Sequence, residues 1–262
     1  MSEYTIEELM LKVSEGESLA GSDLEGLNFF ENDLVDVNFS GSNLRNVTFF
    51  YVNLTGANLS GVKLEGSSLT NVLLRHANLS GADLKDAVLN VSQLRRPWLA
   101  RLIGRANNSE STDLTDANLS GADLTRANLS EIGLSGANLS GANLTKTDLR
   151  SADLRHANLS GANLTDAELG DDLFRKNWVT KLTGSTRKEQ YTDLADANLT
   201  GADLTGADLT GANLAGSNLS ATNLTRANLS RADLSGANLT GSNLNYANVE
   251  DAILPSGIDI KY

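Results

Sequence analysis

Two histidines are the only side chains of this chain whose ordinary pKa lies near neutrality, so they are the first candidates for catalytic chemistry. His76 and His156 lie far apart in the sequence, and each stands two positions after a leucine. No nucleophile is paired with a base around them, and the absence of cysteine excludes disulfides and thiolate metal ligands. We therefore interpret both histidines as solvated surface residues and predict no catalytic, metal or cofactor site.

Glycine spacing offers a second candidate, a phosphate-binding loop. Half of such a loop, two glycines five positions apart, recurs along the chain, as from Gly136 to Gly141. No Lys-Ser or Lys-Thr pair follows it, so a five-residue repeat explains the spacing better than phosphate binding does. The repeat, which must position every outward side chain, is therefore the feature to explain.

The five-residue repeat extends from Leu19 to Leu254. Forty positions in this frame hold leucine, phenylalanine or, once, valine, and the frame resumes unchanged at Leu114 and Leu194 after two gaps. A typical unit is Ala57-Asn58-Leu59-Ser60-Gly61, in which a small and a large apolar residue stand two apart before a polar break. Five is not a helical period, so each unit is predicted to be a very short extended segment and a turn. Such units bury a continuous core only by stacking as a solenoid.

A second, longer period of four units indicates a four-sided coil. In one of the four columns, asparagine precedes the central apolar residue at nine positions, from Asn38 to Asn238. Stacked coils lie roughly 4.8 Å apart, so this column predicts an asparagine ladder. The central residues of the column are predicted core: Leu59, Leu79, Leu119, Leu139, Leu159, Leu199, Leu219 and Leu239.

The other three columns mix aspartate with asparagine. Within the uninterrupted runs, an aspartate lies over another acid at Asp148 and Glu168 alone. We interpret this arrangement as avoidance of like charges at ladder spacing, with amino-acid composition as the simpler alternative.

The Ala-Asp/Asn-Leu-x-x repeat resembles that of the pentapeptide repeat family. The resemblance covers about residues 17 to 255 apart from the gaps, and it implies an all-β solenoid, a right-handed quadrilateral β-helix with four pentapeptides per coil and about ten regular coils. It says less about function, because members include gyrase-binding DNA mimics and many bacterial, especially cyanobacterial, proteins without assigned biochemistry.

We expect one domain with a covered N-terminal end. Thr5-Ile6-Glu7-Glu8 reads as a capping box, and Ile6, Leu9, Met10 and Val13 share one helical face, which predicts a short helix on the first coil. The predicted parts of the single 1–262 domain are a capping helix at 1–16, regular coils at 17–89, 112–169 and 192–255, inserts at 90–111 and 170–191, and a tail at 256–262.

Aromatic residues cluster in the first coils. Phe29, Phe39 and Phe49 fall at inward positions, whereas Phe30, Phe50 and Tyr51 fall at outward ones. Two interpretations of the outward set remain open: local packing with the N-terminal helix, or an aromatic docking patch.

The two inserts look like one element used twice. Each adds the equivalent of four units, and the second repeats features of the first at matching places, as with Trp98 and Trp178. Because four units complete one turn, both inserts leave the solenoid at the same corner. If they loop out, three coils or roughly 14 Å separate them; if each forms a degenerate coil, the separation is four coils or roughly 19 Å.

The inserts differ chemically from the acidic body. The chain carries a net charge of −12, but the first insert carries +3 and the second +2. Apolar residues at helical spacing predict a short amphipathic helix in each insert. Tryptophan and arginine often anchor interfaces, so the predicted docking residues are Arg95, Arg96, Trp98, Arg101, Arg105, Arg175, Lys176, Trp178 and Lys181. The alternative is that each tryptophan packs on the rod and the basic groups are drawn to its acids.

The function that these features favour is a non-enzymatic scaffold that binds an unidentified protein through one face and the paired inserts. The alternative is a DNA mimic that binds gyrase, since an acidic rod can occupy a basic DNA channel; a membrane-surface anchor is a third reading of the basic inserts. The net charge disfavours direct nucleic-acid binding. Residues 1–18 contain acids rather than an apolar signal core, so we expect a cytoplasmic protein without a membrane span, and a monomer is favoured over an oligomer.

Overall fold

The computed structural model describes residues 4–90, 111–170 and 191–256. Its backbone is a stack of parallel coils in which equivalent residues of successive turns pair, as Asn38 does with Asn58. Three units near the N terminus form regular strands: β1 (Asn28–Phe30), β2 (Thr48–Phe50) and β3 (Ser68–Thr70). They make one parallel sheet in the order β1-β2-β3. The remaining units are single bridges, because each side of the coil turns before a longer strand can form.

Each unit buries its two apolar residues and exposes the others. Ala57 and Leu59 are fully buried, while Asn58 between them stays partly exposed. The turn that follows has a positive φ at its second residue, 62° at Gly61 and 56° at Asp86. This left-handed conformation suits glycine, asparagine and aspartate. The eight core leucines of the asparagine column, from Leu59 to Leu239, are at most 7% exposed.

We number the faces of the coil by their central leucines. Face 1 carries Leu59, face 2 Leu64, face 3 Leu69 and face 4 Leu74, and the equivalent units of successive turns continue each face. The corner between faces 3 and 4 is called the 3–4 corner below.

The helix predicted at the N terminus is present as α1 (Ile6–Ser14). Its capping box is complete: the Glu8 amide donates to Thr5 Oγ1 at 3.2 Å, and the Thr5 amide donates to Glu8 Oε2 at 2.9 Å. Leu9 is 1% exposed within the core, and Ile6, Met10 and Val13 pack against that core. The helix therefore covers the first coil, as the apolar spacing predicts. Among the described residues, no helix is long and apolar enough to cross a bilayer.

The described coils on either side of each gap are bonded directly to each other. Leu73 pairs with Asp113 and Val88 with Asn128, so the sequence offset across the gap is twice that between other stacked coils. The same doubled offset occurs after the second gap, where Asp153 pairs with Asp193. Of the two separations that the sequence allows for the insert ends, these pairs match the shorter one of three coils.

Candidate interaction surface

Face 1 is neutral along the described coils. Its asparagine column forms the predicted ladder: Asn138 Nδ2 donates to Asn118 Oδ1 at 3.2 Å, and Asn158 Nδ2 donates to Asn138 Oδ1 at 3.1 Å. Each Oδ1 also accepts the backbone N–H two positions on, as from Ser140 at 3.2 Å. Between Ser18 and Gly241, the described outward residues of this face include no charged side chain. Most of the polar capacity of the asparagines is thus used within the ladder.

Faces 3 and 4 carry most of the negative charge. On face 3, the described outward acids are Glu31, Glu131, Asp148, Glu168, Asp208, Glu250 and Asp251, against Arg150 and Arg231. On face 4, they are Asp33, Asp36, Asp113, Asp116, Asp153, Asp193, Asp196 and Asp233, against Arg75 and Arg155. The 3–4 corner therefore lies between two acidic faces.

The proposed avoidance of like charges fails across the gaps. Asp83 pairs with Asp123 and Asp153 with Asp193, because the coils beside each gap stack directly. One basic side chain lies beside each of these two pairs and offsets part of its charge. Lys85 Nζ lies 3.7 Å from Asp83 and 3.2 Å from Asp123.

On faces 3 and 4, arginines contact the stacked acid pairs in the way that Lys85 does on face 2. Arg155 lies 2.6 Å from Asp153 and 3.8 Å from Asp193. Arg150 contacts the acid pair that the sequence does reveal, at 2.5 Å from Asp148 and 3.4 Å from Glu168. A basic residue two positions after an aspartate, in the same unit, is the sequence signal for this arrangement.

These contacts lower the pKa of two of the acids, Asp153 and Asp123. The Arg155 hydrogen bond lowers the pKa of Asp153, although burial opposes it. For Asp123, burial raises the pKa, but hydrogen bonds from Thr125 and Lys85 outweigh it and the pKa is lowered. Asp153 and Asp123 therefore stay charged at neutral pH and attract the basic side chains beside them.

The two histidines occupy equivalent exposed places on face 4. His76 Nδ1 lies 3.9 Å from Asp116, and His156 Nδ1 lies 4.0 Å from Asp196. Both imidazoles are about two-thirds exposed. No cluster of three potential metal ligands occurs among the described residues. The structure thus gives each histidine one carboxylate neighbour on an open surface.

A buried threonine lies at the base of each insert, which is the point where the chain leaves the coil before the insert and rejoins it afterwards. Thr112 Oγ1 lies 2.6 Å from the carbonyl oxygens of both Leu69 and Leu89, which share its single hydroxyl proton, so it ties the residue before the first insert to the chain after it. Thr192 Oγ1 donates to the Leu149 carbonyl at 3.0 Å in the equivalent place. The sequence gives little sign of these residues, because threonine at an inward position differs little from the alanine that usually stands there.

The two insert bases lie at the same corner. The Leu89 amide donates to the Asn128 carbonyl, the Leu129 amide to Asp148 and the Leu149 amide to Glu168, which makes three hydrogen-bonded steps from the first base to the second. Three steps correspond to roughly 14 Å. The predicted docking residues lie outside the described residues: Arg95, Arg96, Trp98, Arg101, Arg105, Arg175, Lys176, Trp178 and Lys181.

An apolar surface lies on the N-terminal side of the first insert. Phe30 is 58% exposed, so α1 does not cover it, and its ring lies 6.4 Å from that of Phe50, which in turn lies 4.6 Å from that of Tyr51. Leu73 and Val88, each 37% exposed, lie further along the rod, on face 4 one coil from Phe50 and on face 3 two coils from it. We call these five residues the N-terminal apolar patch. Sequence analysis identified its aromatic members but not Leu73 and Val88, which replace the polar residue usual before a central leucine.

A shallow depression of ≈ 230 Å³ lies beside the second insert base. Tyr191, Arg231 and Asp233 are among the residues that line it. It is open to solvent, and nothing in its lining suggests catalysis.

The chain matches the family model for pentapeptide repeats in eight copies, over residues 18–49, 53–90, 108–131, 134–171, 190–226 and 217–254. Among solved structures, it is similar to HetL, a pentapeptide repeat protein involved in heterocyst differentiation regulation from the cyanobacterium Nostoc sp. strain PCC 7120, with 27% identity, coverage of 98% of this chain and 99% of that chain, and a TM-score of 0.45.

Two further solved structures are similar at lower identity. Full-length QnrB1, a plasmid-mediated fluoroquinolone resistance protein, is 20% identical over 90% of this chain and 94% of that chain, with a TM-score of 0.31. Rfr23 from the cyanobacterium Cyanothece 51142 is 24% identical over 70% of this chain and 90% of that chain, with a TM-score of 0.16. No curated protein matches the sequence.

Proposed function

Because this chain belongs to the pentapeptide repeat family, whose fold is a right-handed quadrilateral β-helix, we propose that it is a non-enzymatic scaffold that binds a protein partner along the 3–4 corner. A cytoplasmic location and a monomeric rod are part of the proposal. Ten regular coils with two extruded inserts form the rod, and the inserts supply the contacts.

The position of the two insert bases carries the proposal. Direct pairing of Val88 with Asn128 places the first base three hydrogen-bonded steps from the second, at one corner. Two segments with equivalent tryptophans therefore begin roughly 14 Å apart, a spacing that one partner surface can span.

Charge supports a composite surface. The inserts are net basic and rise between acidic faces 3 and 4, so a partner would meet two basic projections flanked by carboxylates. Tryptophan and arginine anchor interfaces most often. The residues proposed for docking are Arg95, Arg96, Trp98, Arg101, Arg105, Arg175, Lys176, Trp178 and Lys181.

The experiment first isolates a partner with the intact chain and then measures its affinity for variants. Trp98→Ala and Trp178→Ala should each weaken binding, and the double variant should depart from additivity because both residues support one interface. Glu131→Arg places a charge reversal at the 3–4 corner between the two insert bases. Ser120→Arg, in the same coil but on neutral face 1, is the matched control.

The control decides where the partner binds. Loss of binding in Glu131→Arg but not in Ser120→Arg supports the 3–4 corner. Equal effects of both substitutions, or unchanged binding in the double tryptophan variant, would refute the proposed surface. Arginine already occupies the repeat positions of both substitutions, at Arg126 and Arg150, so neither should disturb the fold.

The alternative is a DNA mimic that binds gyrase, and the acid columns favour it. Asp148, Glu168 and Asp208 follow each other by direct pairing on face 3, which gives a row of charges at ladder spacing. The mimic should alter gyrase supercoiling in a salt-sensitive manner, because screening weakens an acidic face. No effect on supercoiling or on quinolone inhibition at micromolar protein would refute the mimic. A salt-sensitive effect that persists without both tryptophans would instead refute the scaffold.

A further inference from the structure

The N-terminal apolar patch is exceptional among the outward surfaces of the described coils. Its face 3 positions hold Phe30, Phe50 and Val88, whereas later coils hold charged or polar residues there, such as Asp148 and Arg150. Exposed apolar side chains that lie together, rather than singly, usually mark a surface that something covers.

The patch lies beside the point where the first insert leaves the rod. Phe30 pairs with Phe50 and Phe50 with Thr70, and Val88 pairs with Ser68 in the next coil. From the coil of Val88 and Asn90, Phe50 is therefore two steps away and Phe30 three. At about 4.8 Å a step, these distances are roughly 10 and 14 Å.

The chain between the described ends is long enough to reach the patch. Trp98 stands eight positions after Asn90, a length that spans about 12 Å as a helix and about 26 Å when extended. Trp178 also stands eight positions after its base at Gly170, but Phe50 and Phe30 lie five and six steps from that base, roughly 24 and 29 Å. The patch is within easy reach of the first insert and at the limit for the second.

The chemistry of the first insert fits the patch. Trp98, Leu99, Leu102 and Ile103 fall at helical spacing, so one side of a helix would be apolar. The segment is net basic, and Glu31 lies exposed at the corner next to Phe30. A basic segment with an apolar side thus faces an apolar surface with an acid at its edge, whereas the surface around Gly170 is acidic.

We infer that residues 91–110 of the same chain dock on the N-terminal apolar patch, with Trp98 against Phe30 and Phe50. The arginines of the segment then face outward, away from the rod. This contact does not rest on the proposed function, because it forms in the isolated chain. Trp98 then supports the proposed docking surface indirectly, by holding the first insert so that its arginines face a partner, whereas Trp178 is free to contact that partner itself.

The test uses the two tryptophans as separate fluorescent probes. Trp178→Phe leaves Trp98 alone, and its emission should be blue-shifted and poorly quenched by acrylamide. Adding Phe30→Ser and Phe50→Ser should raise the quenching constant severalfold and shift the emission to the red. Both phenylalanines point outward, so circular dichroism should remain unchanged.

The matched control is the Trp98→Phe chain, in which Trp178 alone emits. The two patch substitutions should leave its quenching unchanged. Equal quenching of Trp98 with and without the patch, or an equal response of Trp178, would overturn the inference. Shielding of Trp98 that appears only at high protein concentration would identify a second copy as the occupant and would also overturn it.

A second measurement does not depend on fluorescence. The chain has no cysteine, so Phe30→Cys with Trp98→Cys introduces a single possible disulfide. Mild oxidation should form it within one chain, and Phe30→Cys with Trp178→Cys should not cross-link comparably. Similar cross-linking by both pairs would refute selective docking of the first insert. Partner binding is measured separately, so failure of either idea leaves the other testable.

Discussion

Removal of the first insert tests whether the rod is continuous beneath it. Deletion of residues 91–110 joins Asn90 to Ser111 and places Leu89 and Leu114 at the normal unit spacing. The bonds that close the base are already present: the Leu114 amide donates to the Gly133 carbonyl at 2.7 Å, and Thr112 Oγ1 donates to the Leu89 carbonyl at 2.6 Å. None of them needs the deleted chain.

The magnitude follows from loop closure. Closing a loop of this length costs about 2–3 kcal/mol more than a direct connection, so its removal should stabilise the rod by that amount. For a chain of this size, 1 kcal/mol corresponds to roughly 2–4 °C in Tm, which gives an increase of roughly 4–12 °C. Loss of the Trp98 contact with Phe30 and Phe50 would offset this by about 1.5–3 kcal/mol.

The assay is thermal unfolding followed by circular dichroism, with a frame-breaking deletion as the control. Deletion of residues 90–111 also removes Asn90 and Ser111, and it therefore leaves Leu89 only three positions before Leu114. The turn is lost, and leucines beyond the junction cannot reach their inward positions, at about 2–5 kcal/mol for each emptied site. This control should not fold cooperatively.

Two results would refute the reasoning. Loss of the cooperative transition after deletion of residues 91–110 would show that the segment is an integral coil. Equal stability of the two deletions would show that the five-residue frame does not govern stacking.

Three further substitutions test the core, the insert base and the acid pairs. Leu139→Asp should abolish folding, because it buries an unpaired charge, whereas Asn138→Ala should cost about 1–2 kcal/mol for its ladder hydrogen bonds; similar Tm values would refute the inward assignment. Thr112→Val keeps the shape but loses the hydroxyl proton that the Leu69 and Leu89 carbonyls share, and urea unfolding should show a loss of about 1 kcal/mol; no change would mean that the hydroxyl does not support the base. The pKa of Asp153 is lowered by Arg155, so its contribution to stability is present above the ordinary value of about 3.9 and is lost as pH falls through the lowered folded value. The stability difference between the wild type and Asp153→Asn should therefore be largest near pH 7 and shrink in acid; a difference that grows in acid would contradict this sign.

Local spacing was enough to predict the repeat and its core. The inward pair of Ala57 and Leu59 recurs with a fixed period, and all such pairs can be buried together in one continuous core. The capping helix was predictable for a similar reason, because the Thr5 and Glu8 side chains act within one turn. The asparagine ladder followed from the longer period of four units, which the sequence displays directly.

The sequence alone left the stacking across the gaps undecided. An extra coil and an extruded loop of the same length preserve the same frame, so spacing cannot distinguish them. Hydrogen bonds between the described coils show which of them stack: Val88 pairs with Asn128, and Asp83 consequently lies over Asp123. These contacts join residues that are separated in the sequence by the length of two coil turns, and only the tertiary structure brings them together.

The surface patch shows the same limit. The aromatic residues Phe30 and Phe50 are conspicuous in the sequence, but Leu73 and Val88 are less so, because the repeat around them is already rich in apolar residues. Their exposure depends on which side of the coil they face and on what covers them. The sequence therefore determined the period, the core and the cap, because these depend on local alternation, whereas the stacking of charges and the apolar patch beside the first insert were decided by the packing of distant coils.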